Sequence, residues 1–306
     1  MEAEQRLLSF KQAHEEAGSL RTSRLAVLAP EDLDVLGAVL AAREKGLVEP
    51  VLIGQEDKIK KAGSSMSVDL DEIEILDQKS PMQMARQGIE MFFDGSVDLV
   101  IKGRLPTSHI YRAIIRKEKE LGQSQRISVC SLWELPHQDR FVLLTDTGVN
   151  IDPDWQIKQD VLQKAAFLMN LLGYAPLITL ALSASREIEE NMASREDAEK
   201  IQEYFRQEGI DCQVKFGGDM RYFPGNDGEA IPDIILVPHL DAGNIIVKLD
   251  FFLEIKRSSV VTSSRGPIIV PSRSDTWEHI LDELALGMVI SHRLQQHGGL
   301  WRGALK

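Results

Sequence analysis

The feature that most constrains this chain is a regular exchange between short apolar runs and longer amphipathic stretches. SRLAVLA (23–29) reads as a buried strand, and DLDVLGAVLAAREKG (32–46) as the helix that follows it. PVLIG (50–54) and EIEIL (72–76) read as further strands. Ser80-Pro81 supplies an N-cap and a first-turn proline for a helix over PMQMARQGIEMFFDG. VDLVIKG (97–103) is a strand ending in a glycine turn, and RISVCSLWEL and FVLLTD are two strands around a turn at Pro136.

The second half repeats the theme. Asp152-Pro153 opens a long helix through WQIKQDVLQKAAFLMNLLG, closed by Gly173. LITLALS (177–183) is a strand, and Ser194 with Asp197 reads as a variant capping box for SREDAEKIQEYFRQEG. DCQVKF, DIILVP, a helix from about Ala242, SSVVTSS, PIIVPS and a C-terminal helix from about Asp275 complete the pattern. Strands spaced by helices of this length predict parallel sheets flanked by helices, an α/β class. GGDMRYFPGNDGEAIP (217–232), rich in Gly and Pro, is expected to be irregular.

A chain of 306 residues is long enough for two lobes, each with its own core. No apolar run approaches the ~18–20 residues that span a bilayer. The N-terminal MEAEQRLLSFKQAHEEAG is not a basic-then-apolar leader, and Cys130 and Cys212 lack metal-type spacing. A cytoplasmic protein without membrane association is therefore expected.

The formal charge of −12 argues against a non-specific nucleic-acid binder, which needs a basic face. Two stretches run against that sign. Lys102–Arg126 carries seven Lys/Arg against Glu118 and Glu120, and Lys256–Arg273 carries four basic residues and no acid. Either run alone reads equally as a solvated face. Together, in an acidic chain, they predict an anion-binding cleft.

Ligands of open α/β sheets sit at the carboxyl ends of the strands. That rule selects Lys102-Gly103-Arg104, Thr145-Asp146-Thr147, His239 to Asn244, and Ser272-Arg273-Ser274-Asp275. The last lies between a strand and a helix, where backbone N–H groups attract anions and an arginine fork grips phosphate. Ser-x-x-Asp is also how an ordinary helix is capped, so both readings stand at this point. The histidines, among them His109, His239, His279 and His292, show no metal-ligand spacing. No GxGxxG or GxxxxGK[ST] occurs where a strand meets a helix.

Several ordered segments carry a resemblance. PDIILVPHLDAGNIIVKLDFF followed by SSVVTSSRGPIIVPSRSDT is similar to the "pD…AGNI.yK" and "G…P…tSRaDs" segments of the phosphate acetyl/butyryltransferases, the phosphotransacylase family. LLTDTGVNIDPDWQIKQDVLQ resembles that family's "vTDaamNi.Pdle.K..i.", and LSASREIEENMASREDAEKI its "lSA.e…..mps..dA..l". DLVIKGRLPTSHIYRAIIRKEKELG and VLAPEDLDVLGAVLAAREKGLVEPVLIG agree as well. The resemblance covers about nine-tenths of the chain, leans to the butyryl type, and rests on order as well as content.

The resemblance implies a two-domain, isocitrate/isopropylmalate dehydrogenase-like fold with an interdomain cleft. Residues 1–144 plus 276–306 would form one domain and 145–275 the other. It implies transfer of a short-chain acyl group, acyl-CoA + phosphate ⇌ acyl phosphate + CoA, in a direct ternary complex. CoA would be a substrate, with no metal and no permanently bound cofactor, and the protein a homodimer. Ser272, Arg273 and Asp275 match the family's "SRaD" and would be catalytic. Arg273 would hold phosphate and the thiolate, Ser272 the reacting oxygen, and Asp275 would take the thiol proton. Lys102 and Gly103 would contact phosphate. Gly243 and Asn244, and Thr145, Asp146 and Asn150, would line the phosphate/CoA site.

Two departures bear on the acyl side of that site. The family's "DGPlalDnA" segment is replaced by a shorter stretch with only Asp219 in a similar place, and Val129 stands where a His is expected after Ser128. A non-catalytic or weakly active CoA/acyl-phosphate binding protein is the alternative these departures imply. A metal-dependent dehydrogenase of the same broad fold would need a carboxylate or His cluster, which the sequence does not display.

Overall fold

The computed structural model describes residues 5–123, 126–136, 138–184, 192–217 and 231–298. Asp219, most of the expected irregular segment 217–232, and Trp301 lie outside the described residues.

In chain order the elements are α1 (Phe10–Ala17), β1 (Ser23–Leu28), α2 (Leu33–Glu44), β2 (Val48–Gly54), α3 (Glu56–Ser65), β3 (Glu74–Asp77), α4 (Pro81–Asp94), β4 (Leu99–Lys102) and α5 (Thr107–Glu120). Then come β5 (Val129–Glu134), β6 (Phe141–Thr145), α6 (Trp155–Leu171), β7 (Leu177–Ala181), α7 (Ala193–Glu208), β8 (Cys212–Phe216), β9 (Ile234–Leu236), α8 (Leu240–Val247) and α9 (Asp250–Leu253). The chain closes with β10 (Lys256–Thr262), β11 (Pro267–Ile269) and α10 (Trp277–Gln296). The mixed α/β class expected from the alternation is what the chain adopts.

Phe10–Ile127 and the segment beginning at Ser258 form a first compact unit. Its strands run in the order β3-β2-β1-β4-β11-β10. All pairs are parallel except β10–β11, a hairpin. The central strands β1, β2 and β4 are buried almost throughout, as strands covered by helices on each side require. Leu25–Leu28, Leu52, Ile53 and Leu99–Ile101 are all buried. Helices α2, α4 and α10 bury Leu36 and Val39, Met84 and Ile89, and Leu284 to Ile290.

The segment ending at Ser9 and Ser128–Arg257 form the second unit. Its order is β5-β6-β9-β7-β8, with β5–β6 antiparallel and the rest parallel. Leu162, Ala165 and Met169 of α6 are buried in its core, as is Phe205 of α7. Tyr174 fastens the N-terminal segment there: its hydroxyl donates to Leu7 O (2.8 Å) and accepts the Phe141 N–H (2.7 Å).

This division differs from the expected one at the N-terminal segment, which ends at Ser9 and falls with the second unit, and at both crossings. Ser258–Asp275 falls with the first unit, because β11 pairs in parallel with β4 (Ile269 opposite Ile101). Residues 128–144 fall with the second, because β5 hairpins onto β6 (Leu132 opposite Leu143).

Local capping also departs in places. Ser80 sits at the N-cap of α4, but its hydroxyl makes no capping bond, while Pro81 fills the first turn as expected. Helix α6 is capped by Asp154, which accepts the Ile157 N–H at 2.8 Å, and not by Asp152. Ser194 and Asp197 form no capping box: Ser194 bonds Ser183 (2.9 Å), and Asp197 pairs with buried Lys158 (2.6 Å). An ion pair buried beside the core outcompetes a local cap for the carboxylate.

Candidate functional site

Because β4 and β11 are parallel neighbours, Lys102-Gly103 and Ser272–Asp275 leave the same end of the first unit's sheet. The end of β4 is pressed against β1. Gly103 N–H donates to Leu28 O (2.7 Å) and Arg104 N–H to Ala29 O (2.9 Å). A Cβ at Gly103 would lie 2.2 Å from Ala29 O and 2.8 Å from Leu28 O, so only glycine allows this approach. Lys102 is 6% exposed, and its Nζ reaches Gly103 O at 3.3 Å. Burial pushes its pKa below the ordinary 10.5; Glu283 of α10 opposes that shift, Arg273 reinforces it, and Asp275 and Asp32 oppose it. Lys102, Arg273, Asp275 and Glu283 therefore share one local field.

The Ser272–Asp275 stretch is a closed turn. Asp275 Oδ2 accepts the Ser272 N–H (2.5 Å), Asp275 N–H returns to Ser272 O (3.3 Å), and Ser272 Oγ lies 3.1 Å from Ser274 Oγ. Helix α10 begins only after Thr276, its own N-cap residue. Of the two readings open in the sequence, the motif is thus a turn ahead of the helix and not the cap. The turn leaves the Arg273 side chain exposed, without a hydrogen-bonded or ion-paired partner among the described residues.

The two basic islands do not form one anion surface. Arg116 and Lys117 pair with Glu120 along α5, Arg257 pairs with Asp250, and Arg265 donates to Phe92 O. From the two runs, Lys102, Arg104 and Arg273 are the cations placed at the strand ends around β4 and β11. The rest follow the bland reading of paired or solvated faces.

In the second unit β6 and β9 are parallel neighbours, with Thr145 opposite Leu236. Thr145 ends β6, Asp146 and Asn150 follow it, and Gly243 and Asn244 lie on α8, after β9. The Thr145–Asp146 peptide bond is cis. Asp146 is 4% exposed. Its Oδ1 accepts the N–H groups of Val129 (3.0 Å), Gly148 (2.9 Å) and Val149 (3.2 Å), and its Oδ2 accepts the N–H (2.9 Å) and Nδ2 (2.6 Å) of Asn150. That carboxylate organises its own loop. Gly243 lets α8 lie on the same loop, since a Cβ there would be 2.7 Å from Asp146 O, and Asn244 Nδ2 donates to Thr147 O (3.3 Å). The close approach expected at Gly243 is to this loop. His239 caps α8 by accepting the Ala242 N–H on Nδ1 (3.3 Å).

The ten residues singled out in the sequence thus sort into two groups, each at the carboxyl ends of parallel strands. The sequence matches the phosphate acetyl/butaryl transferase family over residues 80–286, which holds both groups. The chain belongs to that family. It is 24% identical to the phosphate butyryltransferase of Clostridium acetobutylicum, over 92% of this chain and 98% of that protein. It is 28% identical to the phosphate acetyltransferase of Rickettsia prowazekii, over 85% of this chain and 78% of the relative. The crystal structure of a branched-chain phosphotransacylase from Enterococcus faecalis shares the fold, with a TM-score of 0.71 at 18% identity, covering 89% of this chain and 99% of that one.

Against that family, Val129 is a buried β5 residue whose N–H is bonded to Asp146. Among the described residues no group of His, Cys, Asp and Glu is placed to hold a metal ion, and no helix is long and apolar enough to cross a membrane. Sequence reasoning passed over Glu283, a fully buried acid in the middle of an apolar helix, which was itself a signal. It also assigned nothing to α3, whose Lys58 and Lys61 border a cavity beside Arg104.

Proposed function

We propose that this phosphate acyltransferase moves a short-chain acyl group between CoA and inorganic phosphate within one ternary complex. The observation that carries the reading is the grouping of Lys102, Gly103, Ser272, Arg273 and Asp275 at the ends of β4 and β11, in a chain of this family. A phosphate oxygen attacks the thioester carbonyl carbon, and the tetrahedral oxyanion collapses with cleavage of the C–S bond. The products are acyl phosphate and the CoA thiolate. Lys102 and Arg273 offset the charge of two anions held side by side, and Ser272 Oγ donates to the reacting oxygen. In the reverse direction Asp275 accepts the thiol proton. CoA is then a substrate, and we extend the reading to an isocitrate/isopropylmalate dehydrogenase-like fold, a homodimer and a cytoplasmic location.

The test is thiol release from acetyl-, propionyl-, butyryl- and isobutyryl-CoA, with and without phosphate. Release that depends on phosphate, with acyl phosphate formed in equal amount, is expected. Tight CoA binding with no thiol release from any acyl-CoA would make the protein a binding protein instead.

The burial of Lys102 gives that assay a pH signature. An ammonium attracts phosphate and a neutral amine does not, so affinity falls as Lys102 loses its proton. Its lowered pKa places that loss below pH 10.5. Above the second ionisation of phosphate, KM for phosphate is expected to rise with pH in the wild type. In Lys102→Arg, which stays charged beyond about pH 12, that rise should disappear. The same rise in both proteins would detach Lys102 from phosphate.

A further inference from the structure

Glu283 is fully buried in α10, where a carboxylate is costly unless its charge has a use. The fold fixes its place. Helix α10 starts beyond the carboxyl end of β11 and lies close on that strand: a Cβ at Gly287 would come within 2.6 Å of Ile269 Cδ1. Glu283 stands four residues earlier, on the same face and one turn nearer the strand ends. Its Oε1 accepts the Ser259 N–H of β10 (3.4 Å), and Ser259 O accepts the Val270 N–H (2.9 Å). Val270 follows Ile269, and Lys102 follows Ile101, the residue opposite Ile269. Ser259, Val270 and Lys102 therefore share one rung of the sheet. The Glu283 carboxylate is held two strands away from Lys102, about 10 Å at the usual strand spacing.

The other charges around this rung have local tasks. Asp32 caps α2, and Asp275 closes its turn on the Ser272 N–H. Arg86 and Glu90 of α4 pair with each other on an exposed face, and Arg24 of β1 pairs with Glu74. On α10 itself, Asp282 and Arg293 are taken by His14 and Glu16 of α1, and Asp34 of α2 accepts the Trp277 N–H. Burial drives Lys102 toward the neutral amine; Glu283 is the strongest influence against this, Arg273 adds to the loss, and Asp275 and Asp32 act weakly with Glu283. Asp32 and Asp275 are half-buried, so water and salt screen them more than they screen Glu283.

We propose that Glu283 is a positioning residue of the transfer site, a carboxylate beneath the strand ends that acts on phosphate through Lys102 and touches no substrate. It holds the Lys102 side chain as an ammonium where burial alone would favour the amine. The inference rests on the phosphate reading of Lys102 given above and adds what keeps that residue a cation as pH rises. Two unit charges about 10 Å apart, at an effective dielectric constant of about 20, move each other's titration by about one pH unit.

The experiment follows the side-chain NMR signal of Lys102 against pH in the full chain labelled at lysine, the signal being identified by its loss in Lys102→Arg. Glu283→Gln keeps an oxygen for the Ser259 N–H and removes only the charge. Lys102 is expected to titrate about one pH unit lower in Glu283→Gln than in wild type. The rise of KM for phosphate should begin lower by the same interval. In a Lys102→Arg background the same substitution should leave KM flat with pH. A carboxylate that merely pins α10 to β10 would lower the unfolding midpoint and move neither profile, and an unmoved Lys102 titration would overturn the inference. A moved titration with an unmoved KM profile would overturn the part of Glu283 in phosphate binding. The coupling is also readable from the other partner, with Glu283 left in place. In Lys102→Gln the Glu283 carboxyl carbon should titrate about one pH unit higher than in wild type, and equal titration there would overturn the inference as well. Moved titrations in a chain that releases no thiol would keep the hold of Glu283 on Lys102 and remove the transferase reading. Phosphate-dependent turnover with the same pH profile in wild type and Glu283→Gln would do the reverse.

Discussion

Replacing Arg273 by lysine is expected to lower phosphate-dependent turnover by about two to three decades, the cost of removing one preorganised donor from a developing negative charge. Lysine keeps the charge and loses the planar fork, which can hold two phosphate oxygens at once. The structure makes this substitution a clean one. Arg273 projects from a turn that Ser272 and Asp275 close through backbone N–H bonds, so the turn does not depend on its side chain. No partner among the described residues holds the guanidinium, and none is orphaned by its loss. Ser272→Ala should cost far less. Its Oγ contacts Ser274 Oγ, the bond to Asp275 comes from its backbone, and one neutral hydrogen bond is worth about 1 kcal/mol net. Steady-state kcat and KM for phosphate, measured for wild type and both variants, check the ranking. Equal turnover of wild type and Arg273→Lys at saturating phosphate would remove Arg273 from the mechanism.

Much of this architecture was legible because burial on both faces writes a strand plainly into sequence. SRLAVLA, PVLIG and VDLVIKG each became a buried strand, and the residue types that follow them marked the strand ends. The interruption of each unit by a distant segment was less legible. Nothing within PIIVPS announces that β11 pairs with β4, since that pairing is a contact between residues far apart in the chain. Ser194 and Asp197 had the local signature of a cap, and the signature lost to Lys158, a buried cation that needed a counter-charge. At Gly243 the type of constraint was readable and its object was not. A glycine says that something comes close, and here it is the backbone of Asp146. The cations of α3 were missed for a simpler reason. Lys58 and Lys61 sit three apart on an exposed helix, a spacing that on its own marks only a shared face, and the cavity wall is completed by Arg104, which is remote in sequence.

Asp146→Asn is expected to lower stability by about 3 kcal/mol, because its carboxylate is the hub of a loop. Five N–H donors converge on its two oxygens, and bonds to a charged acceptor contribute roughly twice as much as neutral ones. An asparagine keeps one oxygen and turns an amide NH₂ toward donors that can no longer be satisfied. If the oxygen stays with Val129, Gly148 and Val149, the NH₂ faces the N–H and Nδ2 of Asn150; flipping the amide leaves three backbone donors facing it. Neither orientation serves all five, and at 4% exposure water reaches the orphaned donors poorly. The consequence extends to α8, since Gly243 and Asn244 pack on this loop through Asp146 O and Thr147 O. A denaturant titration should show a lower midpoint with little change in slope. A residue whose task was instead to touch CoA or phosphate would behave in the opposite way, with KM altered and the unfolding midpoint unmoved. A carboxylate already met by four backbone N–H groups and one side-chain amide is poorly suited to an anionic substrate. An unmoved midpoint in Asp146→Asn would therefore show that the five bonds do not hold this loop.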